Sequence, residues 1–75
     1  MGGITNYERL ANAIIIQAVK DYRVALKGLK ADKKNSAARS IKRKVERFFR
    51  SEWFEMLTDA DGEKLLRSLK QEVEE

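Results

Sequence analysis

The 75-residue sequence has no cysteine, no histidine and no proline. Without cysteine there is no disulfide and no thiol nucleophile. Without either cysteine or histidine the usual nitrogen and sulfur ligands of zinc are missing too. The four glycines include Gly2-Gly3 near the start and Gly62, so none builds a glycine-rich phosphate loop. Long apolar runs are absent: the longest, Ala13-Ile14-Ile15-Ile16, is far too short to span a bilayer. No cationic stretch followed by an apolar one opens the chain, so no secretory signal is expected. These absences exclude most enzyme chemistries. Asp59-x-Asp61-Gly62 shares a fragment of a calcium loop, but Leu57 and Ser68 stand where that loop requires carboxylates. The expectation is a non-enzymatic chain with no cofactor, no metal and no membrane segment.

What is present is a mixture of 43% hydrophobic and 37% charged residues, with a net charge of +4. The charge is unevenly spread. Residues 20–50 hold 12 Lys/Arg against 3 Asp/Glu, whereas residues 51–75 hold 3 against 8. A basic middle and an acidic last third can attract each other within one fold or between copies. The middle can also face an anionic partner.

Hydrophobic periodicity points to helices throughout. Thr5-Asn6-Tyr7-Glu8 reads as a capping box, and a long helix is expected from about Asn6 to Lys30. Ala11, Ile15, Ala18, Tyr22, Ala25 and Leu29 form one stripe at spacings of four and three. Ile14, Val19 and Leu26 widen it to nearly half the helix, more than one neighbour requires. The polar stretch 30–35 is the first connection, with Asn35 or Ser36 as the next cap. Ala38, Ile41, Val45, Phe48 and Phe49 are the core face of a second helix. Ser51 either caps a short turn holding Trp53, Phe54 and Leu57 or lies inside a continuing helix; the pattern allows both. Thr58 to Asp61 reads as another helix start, followed by a stripe of Leu65, Leu66, Leu69 and Val73. The architecture expected is all-α: a compact three-helix bundle forming a single domain, 1–75, with an extra short helical turn allowed before the last helix.

Four segments, Tyr7-Glu8-Arg9-Leu10-Ala11-Asn12-Ala13-Ile14, Gln17-Ala18-Val19-Lys20-Asp21-Tyr22-Arg23, Glu46-Arg47-Phe48-Phe49-Arg50-Ser51-Glu52-Trp53-Phe54 and Leu57-Thr58-Asp59-Ala60-Asp61-Gly62-Glu63, carry a resemblance. The chain resembles small, functionally unassigned proteins encoded by phages, prophages and integrative elements of Gram-positive bacteria. The resemblance implies a mobile-element origin and a setting in the host cytoplasm, and no particular activity.

The sharpest candidate feature is an arginine stripe. Arg39, Arg43, Arg47 and Arg50 fall within roughly an 80° arc at 100° per residue, opposite Ile41, Val45 and Phe48. Like charges four apart repel by a few tenths of a kcal/mol per pair, so the stripe carries a local penalty unless something neutralises it. The guanidinium fork suits phosphate and carboxylate alike. Lys42 and Lys44, with Lys33 and Lys34, add to the basic surface. The bland alternative is a solvated face eased by Glu46 and by acids of the last helix. Helix 1 carries a second stripe of Arg9, Lys20, Arg23 and Lys27 with Ile16 in its middle. Ile16, Arg23, Trp53 and Phe54 are therefore interface candidates, although the aromatics suit bundle closure as well. A helix-turn-helix reader is disfavoured, since residues 31–36 contain no glycine. Two functions stay open: a module that binds a protein partner, or an accessory protein that contacts nucleic-acid phosphates through the same stripe. The acidic last third, which repels DNA, tips the expectation toward a protein partner.

The broad apolar arc of the first helix, in a chain too short to bury much surface, predicts a homodimer. Sedimentation at tens of micromolar checks this. A stable monomer would mean that the helices of one chain cover the arc unaided.

Overall fold

In the computed structural model the described residues are 6–74, and they form four helices with no strand: α1 (Asn6–Ala31), α2 (Ser36–Phe49), α3 (Glu52–Leu57) and α4 (Gly62–Glu74). The capping expected of Thr5 lies outside the described residues. At about 1.5 Å per residue, the 26 residues of α1 span roughly 39 Å. The described residues measure 48 × 23 × 18 Å, so α1 sets their length.

Each later boundary has a local cause. Asn35 takes the cap of α2: its backbone is extended and its side chain accepts from the amide of Ala38 at 3.0 Å. Ser51 ends the ambiguity over the second helix. Its hydroxyl donates to the carbonyl of Phe48 at 2.6 Å and accepts from the amide of Phe54 at 3.2 Å. The same side chain thus closes α2 and opens α3. Asp61 caps α4, accepting from the amides of Glu63 and Lys64. Thr58 holds the turn before it, accepting from the amide of Ala60. The acidic motif at 59–62 is therefore accounted for by capping, and α4 begins at Gly62, a turn later than the spacing from Thr58 suggests.

α1 packs against both α2 and α4, and α2 touches α3 and α4. The approach of α1 to α2 is close because the facing positions are small. Ala25 and Ala38 are both buried. A Cβ placed on Gly28 would sit 3.3 Å from that of Ala38. The core is Tyr22, Val45, Phe49, Phe54, Leu66 and Leu69, with Ile15, Ala18, Val19, Leu26, Phe48 and Leu65 packed around it. Phe48, Phe49 and Phe54 meet at centroid distances of 5.1 to 5.6 Å, in the tilted and edge-on arrangements that aromatic quadrupoles favour.

Ile41 departs from expectation. It was placed on the buried face of α2, yet it is 38% exposed. The reason is where α4 sits. α4 reaches α2 through Lys70 near Glu46 and Glu63 on Arg50. By helical phase those positions lie on the flank of α2 away from Ile41. Among the described residues no element covers the Ile41 side. Ile15 and Phe48, also expected in the core, are only partly buried.

The contrast yields a test. Leu69, 4% exposed, should cost about 2–5 kcal/mol on truncation to alanine. Ile41→Ala should cost only about 1 kcal/mol, because much of its transfer energy is never gained. Denaturant midpoints of the two variants check the order; equal losses would contradict the packing described.

Candidate binding surface

The outer side of α2 is built from the bonds that its side chains make or fail to make. Arg39 turns back and donates to the carbonyl of Lys33 at 2.9 Å. Lys42 pairs with Glu46 at 2.8 Å. Arg50 pairs with Glu63 of α4, Nε to Oε2 2.6 Å. That leaves Arg43, Lys44 and Arg47, exposed and without an ion pair among the described residues. Arg43, Arg47 and Arg50, with Glu46 and Ser51, line an open depression of about 500 Å³. A neighbouring one is lined by Leu29, Lys33, Arg39, Lys42, Arg43 and Glu46. The acidic last third therefore neutralises one end of the stripe and leaves its middle unpaired.

The other interface candidates separate. Arg23 forms a two-pronged pair with Glu72 of α4, 3.0 and 3.1 Å, and so ties α1 to α4. Phe54 is 1% exposed and belongs to the core, so it offers nothing to a partner. Trp53, one residue earlier on a six-residue helix, points the other way. It is 55% exposed and rests edge-on against Phe48 at 5.4 Å. Ile16 is 54% exposed on α1. The same end of the molecule also exposes Tyr7 and Met56, and the Tyr7 hydroxyl donates to the Met56 carbonyl at 3.5 Å.

Sequence reading missed the polar centre of the molecule. Tyr22 is fully buried, and its hydroxyl donates to Glu46 Oε2 at 2.7 Å. The same oxygen receives Lys42, and Lys70 of α4 stands 3.6 Å away. Burial, reinforced by the hydrogen bond to Glu46 and by its charge, pushes the Tyr22 phenol well above its ordinary range. Burial alone would raise the Glu46 carboxyl. The bonds from Lys42 and Tyr22, with the charges of Lys42 and Lys70, outweigh it and hold that carboxyl below the ordinary range. Glu63 is likewise held low by the hydrogen bond from Arg50, and Arg50 is held high by the same bond. This pair lies on the surface, where water screens it and its contribution to stability is small. One signal for the polar centre was available: Glu46 is the only acid among the residues of α2.

No helix among the described residues is long and apolar enough to cross a membrane. Comparison with protein families, with curated proteins and with solved structures finds no match.

The polar centre sets an acid dependence. A carboxyl whose pKa is lowered by folding stabilises fully above its unfolded value and loses that contribution as pH falls through the folded one. Stability should therefore decline from about pH 4.5 downward, and Glu46→Gln should flatten part of that decline. The phenol behaves oppositely: its contribution is complete below about pH 10 and is lost as pH rises past that. Tyr22→Phe should cost about 1 kcal/mol at neutral pH and soften the alkaline limb. Urea midpoints from pH 3 to 11 check both. Parallel profiles for parent and variants would count against the network.

Proposed function

We propose that the chain is a non-enzymatic binding protein of phage or mobile-element type. In this reading it works in the cytoplasm of a bacterial host and modulates a host or phage protein complex. Its contact surface is the middle of the arginine stripe, Arg43 and Arg47 with Lys44 beside them, directed at an acidic protein partner. The scaffold is taken as a three-helix bundle of α1, α2 and α4, with α3 as a strap across one end. One observation carries the reading. The chain pairs Arg23, Lys42 and Arg50 with its own carboxylates, yet Arg43 and Arg47 have no such partner among the described residues. Repulsion between them is a cost that folding does not recover, and an external anion removes it. A protein partner is favoured over nucleic acid because carboxylates of the last third, Glu52 and Glu55 of α3 among them, follow the stripe and repel a continuous phosphate backbone.

The test is the double variant Arg43→Glu with Arg47→Glu. It should fold as well as the parent or slightly better, because like-charge repulsion is relieved, and it should lose capture of the partner from host lysate. Retention on duplex DNA at rising salt separates the readings. A steep linear fall of log affinity with log salt in the parent, lessened by about one unit of slope per arginine removed, would assign the stripe to phosphate instead. A clear loss of stability in the double variant would make the stripe structural and remove the proposal.

A further inference from the structure

The exposed apolar side chains are not scattered evenly. α4 lies along one side of the α1–α2 pair, reaching α1 through Glu72 on Arg23 and through the carbonyl of Val73, which accepts from Lys30. Among the described residues the opposite side of the pair has no helix upon it. By helical phase that side gathers Leu10, Gln17, Asp21 and Val24 from α1 and Ile41, Lys44 and Phe48 from α2. Trp53 extends the strip through its edge contact with Phe48. Leu10 is 61% exposed, Val24 66% and Ile41 38%. It is the flank on which Ile41 departs from the core expected of it. Ile16, by contrast, lies on the far side of α1, toward α4.

We infer that this face seats a second copy of the chain. The inference does not rest on Arg43 or Arg47, since Arg43 points away from the face along the outer edge of α2; Lys44 alone is common to both surfaces. Charge complementarity identifies the occupant. The α1 bank of the face carries an acid, Asp21, held by Gln17 through one oxygen at 2.9 Å. The α2 bank carries a cation, Lys44, with no ion pair among the described residues. The two stand at the same height along the bundle, since the bond from Tyr22 to Glu46 levels residue 22 of α1 with residue 46 of α2. A two-fold axis parallel to the helices lays α1 of one copy over α2 of the other and preserves height. Asp21 of each copy then faces Lys44 of the other, and the apolar strip closes on itself. An isologous interface requires this kind of self-complementarity. A foreign helix of one charge would satisfy one bank and oppose the other. The area is adequate as well. A stable interface takes about 800 Å² from each partner, and the long sides of a 48 × 23 × 18 Å body offer that much.

Sedimentation velocity at tens of micromolar tests the inference, with helicity followed by circular dichroism. The parent should be a dimer. Ile41→Glu should be a monomer of unchanged helicity, and Ile16→Glu, on the other flank of α1, should remain a dimer. Asp21→Lys should weaken dimerisation at least tenfold. Adding Lys44→Glu to Asp21→Lys should restore it, a readout that does not depend on the apolar variant folding. A parent that stays monomeric at several hundred micromolar would overturn the inference. So would dissociation by Ile16→Glu in place of Ile41→Glu, or a double charge variant that associates no better than Asp21→Lys alone.

Discussion

Tyr22 is fully buried, and its hydroxyl meets Glu46 at the edge of the core, where the carboxylate accepts it at 2.7 Å. A buried hydroxyl without a partner costs about 1–3 kcal/mol, more than the bond itself contributes, so the arrangement of the helices is bound to satisfy it. Meeting that demand fixes the relative height of α1 and α2. The carboxylate in turn must be neutralised. Lys42, one turn earlier on α2, and Lys70 on α4 supply the charge, which draws the third long helix to the same point. An otherwise apolar core is thus aligned by one phenol and one carboxylate. Alternative registers of α2 would leave the hydroxyl unbonded, so the network contributes specificity as much as stability.

The same economy of charge explains the surface. Carboxylates of the last third reach only Arg23 and Arg50, through Glu72 and Glu63, while Lys42 and Lys70 share Glu46 of α2. Arg43, Lys44 and Arg47 make no ion pair with any acid among the described residues. The separation of basic middle and acidic tail along the chain becomes, in space, a neutralised seam and an unneutralised outer edge.

Much of the fold is legible in the sequence because amphipathic period and capping chemistry are local. Tyr22, Val45, Leu66 and Leu69 follow from spacing alone, and the breaks at Asn35 and Ser51 fall on residues whose side chains take an amide. Ile41 could not be placed that way. Its phase sets it near the core, but burial depends on which flank α4 occupies, and that is a matter of tertiary packing. Phe54 and Trp53 illustrate the same limit, since a one-turn helix has too few residues to define a face. The arginine stripe was legible as a pattern, whereas the division between its paired ends and unpaired middle required the position of Glu63. The polar centre was hidden because its four members come from three helices.

Gly62 opens α4 directly against the end of α2: a Cβ there would run into the backbone carbonyl of Phe49. The chain thus leaves α2 at Phe49, travels through α3, and comes back to the point of departure with almost no net displacement. Residues 50–61 form a loop closed at its neck, and the direction of α4 is set at that neck instead of by the path between. Length and composition within the loop can change without moving α4, provided that Ser51 and Asp61 keep their caps, Phe54 still fills the core and the returning residue has no side chain. The far end of the molecule, with Trp53 and Met56 at its tip, is in this sense an exchangeable attachment on a fixed frame.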